Sequence, residues 1–157
     1  LAADSVRFTD FHVSPFCTPT RASLMTGNHA GYTGAFRTSS GRTMMHRDQK
    51  TIADLFSGAG YVTAMVGKWH LGSNEGARPN DQGFDEFLGF RSGASMFGAR
   101  EDPNVIGIKQ DFDPIDQVLW MLLPFAIRKD EGPRFVPPDY MTDYLSAEAV
   151  SFEQVTC

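Results

Sequence analysis

Cys17, Pro19 and Arg21 are spaced so that a thiol and a permanent cation meet at the start of a helix. Pro19 suits a first helical turn, where its absent N–H would have no partner and its fixed φ is already helical. Thr18 is then the expected N-cap, with Pro19, Thr20 and Arg21 forming the first turn. Cys17 stands just ahead of that turn, where free backbone N–H groups and the macrodipole favour an anionic nucleophile. The Arg21 guanidinium, four residues on, folds back toward the Cys17 side chain, and a planar donor of this kind binds tetrahedral oxyanions. Ala22, Leu24 and Met25 are expected to face the core, and Gly27-Asn28 to stop the helix. Outside such a pattern, the two residues would read as a small buried thiol and a solvated charge.

A second pair of reactive groups lies at Lys68 and His70. Thr51 to Ala59 carries Ile52, Leu55 and Phe56 at helical spacing, with Gly58 and Gly60 as stops, and Tyr61 to Val66 is rich in strand formers. A helix followed by a buried strand is half of an α/β unit. Lys68, Trp69 and His70 then fall at the carboxyl end of the strand, the edge where open α/β sheets place ligands. In an extended chain Lys68 and His70 project to one side and Trp69 to the other. Alone, a Lys-Trp-His tripeptide reads as a surface turn; joined to the first motif it offers an ammonium and an imidazole to the thiol.

The run Cys17-Thr-Pro-Thr-Arg21 through Thr26-Gly27 resembles the signature of the type I sulfatases, and Gly60 to Gly72 resembles that family's second signature. Asn80 to Phe90 is similar to the segment that follows it in many bacterial sulfatases. The resemblance implies an α/β fold, part of an alkaline-phosphatase-like three-layer sandwich. It implies hydrolysis of sulfuric esters by a formylglycine made from Cys17, with Cys17 in that form also a ligand of calcium or another divalent cation. Arg21 and Lys68 would hold the hydrated aldehyde and the sulfate oxygens, and His70 would hydrogen-bond the second hydroxyl of the diol. In the family, one hydroxyl attacks sulfur, the alcohol leaves, and loss of the other hydroxyl's proton expels sulfate; a plain serine or cysteine lacks that second hydroxyl. Fixed cations suit the charge that builds on the oxygens, a metal lowers the pKa of a bound hydroxyl, and an imidazole can take the proton in the release step.

The resemblance further implies a sulfated small molecule or carbohydrate as substrate and a formylglycine-generating enzyme as the partner that modifies the Cys17 motif. The compartment it implies is periplasmic, secreted or lysosomal. Residues 1–157 are expected to be part of one sulfatase catalytic domain, truncated at both ends and inactive alone. The family's paired aspartates, later Asp-Asn pair and later histidine and lysine are expected outside this chain. Hard cations want six or more oxygen ligands, and Asp4 and Asp10 are not expected to supply them. Val6, Phe8 and their neighbours read as a strand leading into the site, with Asp10 at a turn or edge.

Composition agrees with a single catalytic lobe. With 41% hydrophobic residues in 157, the chain can fill one domain, and 15 glycines with 9 prolines make it loop-rich. No apolar run reaches the length of a membrane span, and the start shows no signal peptide. The 2 cysteines do not suggest a disulfide framework: bridging Cys17 to Cys157 would destroy the nucleophile, and Cys157 has no assigned role. A net charge of -5 argues against nucleic acid, yet the charge is unevenly spread. Through Gly72, seven Lys and Arg face four acids; beyond it, seven face fifteen. The basic part holds both motifs and suits an anionic ester, although Arg37, Arg42, Arg47 and Lys50 read as solvated charges.

Phe84, Phe87 and Phe90 recur at helical spacing and are assigned to packing. Residues 91–140 match the family's variable region, with turn-rich Arg100 to Asn104 and an apolar patch from Val118 to Ile127 broken by Pro124. There Trp120 and Phe125 either touch the organic part of a substrate or pack the core. A last helix is expected from Tyr140 to Gln154, with Tyr144, Leu145, Ala149 and Phe152 inward. His12, His29 and His46 match no motif position. Three rivals stay open: a phosphonate or phosphate ester hydrolase using the same modified cysteine, a cysteine hydrolase with His70 as base, and a non-catalytic binding module.

Overall fold

The computed structural model of the chain describes residues 2–38, 44–99, 101–105, 118 and 122–156. Helix α1 spans Cys17–Thr26 and begins earlier than the proline suggests, because extended Phe16, not Thr18, is the N-cap. Pro19 falls third in the helix, still among the residues whose N–H groups have no intrahelical acceptor, so its lack of a donor costs nothing there. Gly27 stops the helix as expected, at a left-handed φ of 69. Ala22 is fully buried and Met25 packs on the core, but Leu24 is 69% exposed. Two residues beyond Ala22 is the opposite face of a helix, so both cannot point inward.

The short helix α2, Ala30–Thr33, is capped by the His29 ring, which accepts from the Gly31 N–H at 3.2 Å. Helix α3, Ile52–Gly58, starts with a capping box: the Asp54 N–H donates to Thr51 Oγ1 at 3.2 Å, and the Thr51 N–H donates to Asp54 Oδ2 at 2.8 Å. Its apolar stripe does not face inward, since Ile52, Leu55 and Phe56 are all exposed and Ala53 is the buried residue. The cause is close approach: a Cβ at Gly83 would lie 2.4 Å from the Asp54 nitrogen, so only a small face fits against the Gly83 backbone.

Strand β1, Ala64–Lys68, pairs in parallel with β2, Glu86–Phe90, in the register Ala64↔Glu86 to Lys68↔Phe90. β2 pairs antiparallel with β3, Ile127–Lys129, and β3 with β4, Arg134–Phe135. The sheet order is β1-β2-β3-β4. The helical spacing of Phe84, Phe87 and Phe90 is therefore overridden by strand pairing. Asp130 Oδ1 also accepts the Phe87 N–H at 2.8 Å, a long-range anchor invisible to local periodicity. The strand expected around Val6 and Phe8 is absent among the described residues, and both side chains are exposed. The Thr20 hydroxyl donates to the Ser14 carbonyl at 2.8 Å, which turns this segment's main chain toward α1 instead of a sheet edge.

Ala22, Ala35, Met45, Met65, Trp69, Leu71 and Phe87 form the core between α1 and the β1–β2 pair. A second cluster of Phe90, Ile127 and Met141 is joined by Phe125, Phe135, Tyr144 and Leu145. Phe125 is thus a core residue, while Trp120 lies outside the described residues, as do Arg42, Arg100 and Cys157. Helix α4 spans Met141–Thr156. Tyr144 and Leu145 pack as expected, but Ala149 is exposed. At that level a cavity of about 240 Å³, lined by Met65, Phe87, Glu148 and Phe152 among others, lies between the helix and the sheet.

One junction of the fold carries a pH-dependent contact. Asp85 Oδ2 accepts from the Thr63 N–H at 2.8 Å, tying the start of β1 to the approach to β2. The Thr63 main-chain and hydroxyl bonds hold the Asp85 carboxyl below its ordinary value. A depressed folded-state pKa contributes stability above the unfolded value, and that stability is lost as pH falls through the folded one. Asp85→Asn is expected to lower the unfolding midpoint at pH 7, and the gap to the parent should close in acid; parallel melting curves across pH would refute the contact's role.

Candidate active site

Cys17 is the first residue of α1 and half-buried. Its Sγ lies 3.1 Å from His70 Nδ1 and 3.6 Å from Thr38 Oγ1. Thr18 Oγ1 is 3.3 Å from the same His70 nitrogen and 3.4 Å from Thr38 Oγ1. Thiol, imidazole and two hydroxyls therefore form one contiguous polar set drawn from three parts of the chain.

The imidazole arrives there by a backbone reversal. β1 ends at Lys68, and Trp69 continues the ladder with its N–H on the Phe90 carbonyl at 3.0 Å. His70 then takes a left-handed φ of 57, so the chain is not extended through the whole tripeptide. A side-chain-bearing residue in that region carries about 1–3 kcal/mol of strain and persists only where its surroundings hold it. Trp69 is the holder: fully buried, it donates Nε1–H to the Ala77 carbonyl at 2.8 Å and meets the Phe84 ring edge-on at 6.0 Å. Gly93 backs the imidazole so closely that a Cβ there would lie 2.7 Å from His70 Cε1.

Arg21 takes a different post from the one its spacing suggests. Its Nε–H donates to the Trp69 carbonyl at 2.6 Å, and Nη2 donates to the Lys68 carbonyl. The guanidinium thereby clamps the end of β1 to α1 and brings the Lys68-Trp69-His70 block beside Cys17. Its remaining N–H donors are the part of the group that can meet an anion.

The electrostatics divide the roles. Burial, then the charges of Lys68 and Arg21, lower the His70 pKa from 6.5 to about 4, so the ring is neutral near pH 7 and able to accept a proton. Burial pushes the Cys17 thiol up, but the Thr38 hydroxyl, the Lys68 charge and the N–H groups of Thr18 and Cys17 pull it further down, leaving it below its ordinary value. Arg21 is lowered by burial and supported by Cys17. Negative charge at position 17 is thus favoured by its surroundings, as the helix start and nearby cations suggest.

Four site features have little or no local signature. Thr18 reads as a cap but is a buried hydroxyl on the imidazole; Thr38 sits in a stretch with no periodicity; the positive φ at His70 and the backing role of Gly93 come from tertiary contacts. The other histidines stay outside: exposed His12 pairs with Asp10 at 2.6 Å, His29 caps α2, and His46 is exposed. Arg37, Arg47 and Lys50 are exposed, with Arg37 stacked 5.6 Å over the Phe36 ring. Among the described residues no group of three or more His, Cys, Asp or Glu could hold a metal, and no carboxylate is among the hydrogen-bond partners of Cys17. A hard cation needs an oxygen cage, so these residues do not by themselves fit calcium. No helix among the described residues is long and apolar enough to cross a membrane.

The Sulfatase family model matches residues 1–137. Arylsulfatase G of Rattus norvegicus is 40% identical over 108 residues, covering 66% of this chain and 20% of that protein. Arylsulfatase A of Homo sapiens is 44% identical over 95 residues, covering 57% of this chain and 19% of that protein. The chain spans about a fifth of the length of these curated relatives. Among solved structures, Ps i-CgsB superposes with a TM-score of 0.68 at 29% identity, covering 89% of this chain and 31% of that chain. BT4656, solved in complex with its substrate D-glucosamine-2-N,6-O-disulfate, gives 0.58 at 26% identity, covering 90% and 22%. The fold is the corresponding part of the alkaline-phosphatase-like α/β architecture. Since the family match spans both motifs, and the fold brings those motifs together at Cys17 and His70, the chain belongs to the sulfatase family.

Proposed function

We propose that the protein hydrolyses sulfate monoesters, with Cys17 converted to formylglycine as the nucleophile and residues 1–157 forming part of one catalytic domain. The observation that carries this reading is the 3.1 Å contact between Cys17 Sγ and His70 Nδ1, which joins two motifs 53 residues apart. The thiol sulfur stands in for the oxygens that position 17 bears after modification. Once formed, the hydrated aldehyde supplies one hydroxyl to attack sulfur and a second whose deprotonation releases sulfate.

The chain's own residues supply the rest. Neutral His70, within hydrogen-bond reach of position 17, accepts the proton of the second hydroxyl. Lys68 contributes a fixed positive charge felt at both Cys17 and His70, which suits a sulfate ester whose charge spreads over its oxygens. Arg21 holds the strand end that carries both and offers its remaining donors to the anion. Thr18 and Thr38 orient the imidazole and the nucleophile. Sulfatases generally use calcium as well as formylglycine. The described residues do not build its cage, and no step here is drawn through the metal, although modified Cys17 would be its ligand from this part of the chain.

The substrate in this reading is a sulfated small molecule or carbohydrate. Support comes from the similar structures solved with neocarrahexaose and with glucosamine disulfate. A formylglycine-generating enzyme acts on the Cys17 motif, and the compartment is periplasmic, secreted or lysosomal. The same Cys17–His70 contact favours one other reading, a thiolate hydrolase with His70 as base.

Mass spectrometry of the peptide carrying residue 17, taken from active protein, separates the two: an aldehyde at that position is expected, and an alkylatable thiol would select the alternative. Rates on p-nitrophenyl sulfate are expected to exceed those on the matched phosphonate, and the reverse order would move the protein to phosphonate hydrolysis. His70→Ala should lower kcat on the sulfate by about 10²–10⁴-fold, and an unchanged kcat would remove His70 from proton transfer.

A further inference from the structure

Arg91, Arg128 and Arg134 line one pocket of about 90 Å³, together with Ser73, Gly89 and Ser92. Arg91 directly follows β2, and Arg128 and Arg134 are register partners across β3 and β4. Like charges directly opposite on paired strands destabilise a sheet. Neither the Arg128 nor the Arg134 guanidinium has a hydrogen bond or ion pair among the described residues. The nearby carboxylate, Glu131, is already bridged by Arg78 at 2.9 Å and by Arg91. Arg91 is itself only 7% exposed, and its Nε–H has no hydrogen-bond partner. Arg128 is depressed below its ordinary pKa by burial and by the positive charges of Arg91, Arg134 and Arg78, with Glu131 opposing. Among the described residues, positive charge is thus concentrated around a space without enough acid to offset it.

The pocket adjoins the candidate active site. Ser92 lines it, while the next residue, Gly93, backs the His70 ring; Ser73 lies three residues beyond His70. We propose that this arginine pocket is a subsite for a second acidic group of the substrate, a sulfate or a carboxylate, so that the protein acts on saccharides carrying at least two anionic groups. The proposal rests on the sulfate-ester reading of Cys17. Guanidinium forks match both oxyanions, through paired N–H donors, and occupation of the pocket relieves the repulsion among the three arginines.

The test uses the intact, formylglycine-bearing protein with glucosamine 2-N,6-O-disulfate, glucosamine 6-O-sulfate, a 6-O-sulfated disaccharide containing a uronic acid, and p-nitrophenyl sulfate. Arg128→Gln and the double variant Arg128→Gln/Arg134→Gln are expected to raise KM for a doubly anionic sugar by about 10-fold or more. Their kcat, and their kinetics on p-nitrophenyl sulfate, should stay within about twofold of the parent. Whichever doubly charged sugar responds identifies the second group, and Arg128→Lys should recover part of the loss. An equal loss on p-nitrophenyl sulfate, or no change on either doubly charged sugar, overturns the subsite. Unfolding midpoints should hold or rise, since each variant relieves like-charge repulsion.

Calorimetric titration of glucosamine 2-N,6-O-disulfate into Cys17→Ala protein reads the pocket without turnover. Binding weakened by Arg128→Gln supports the subsite even if the parent hydrolyses no sulfate ester, a result that would sink only the activity. Binding unaffected by that change sinks the subsite.

Discussion

Cys17→Ala is expected to reduce p-nitrophenyl sulfate hydrolysis by about 10⁴-fold or more, in line with losses of a covalent nucleophile elsewhere, while the unfolding midpoint stays close to the parent's. The two readouts separate because position 17 is only half-buried, opens α1 by its backbone, and makes its side-chain contacts to polar partners. Alanine should keep the helix and, on the proposed mechanism, remove the nucleophile. Cys17→Ser adds a sharper contrast. A single hydroxyl can attack sulfur, but no geminal partner is present to expel sulfate, so turnover should stop after about one equivalent of alcohol is released. Sustained multiple turnover by the serine protein would contradict the need for a second hydroxyl, and near-parent activity in the alanine protein would end the claim on Cys17 altogether.

Trp69→Ala is expected to cost about 3–5 kcal/mol of stability, or roughly 10 °C in unfolding midpoint for a chain of this size. Trp69 is fully buried in the core that joins α1 to the sheet, and its indole N–H is committed to the Ala77 carbonyl. Truncation opens a cavity and orphans that carbonyl together. The expected effect reaches chemistry as well, since Trp69 lies between Lys68 and His70 and its own carbonyl receives Arg21. Trp69→Phe keeps most of the volume but loses the indole donor, so it should fall between parent and alanine in both midpoint and kcat. A midpoint shift below a degree or two for Trp69→Ala would show that the block is held by something else.

The Gly89 position gives the same lesson at backbone level. At its φ of 155 a Cβ there would lie 1.9 Å from the Gly67 carbonyl oxygen, so the β1–β2 pairing at this register requires glycine. The carboxyl ends of the two strands, with Lys68 closing β1 and Arg91 directly following β2, are thereby held side by side.

Much of the local structure around the candidate site was legible in order along the chain. The spacing of Cys17, Pro19 and Arg21 marked a helix start with a thiol and a cation, and α3 and the last helix follow from short-range rules, whereas the strand expected over Tyr61 to Val66 begins later, at Ala64, and runs to Lys68. These features depend on residues within about one or two turns of each other, where composition and periodicity carry the physical signal. Asn80 to Phe90 was different: its phenylalanines repeat at a helical period, yet Glu86–Phe90 is a strand because β1, β3 and Asp130 offer partners from elsewhere.

Short-range rules were enough to locate the reactive side chains and most of the local elements that bear them. The grip of Arg21 on the carbonyls of residues 68 and 69, the left-handed turn that brings His70 within 3.1 Å of Cys17, and the pocket shared by three arginines emerge from the assembled fold. Those arrangements join residues tens of positions apart, and their geometry is set by core packing and strand register, which no local window of sequence contains.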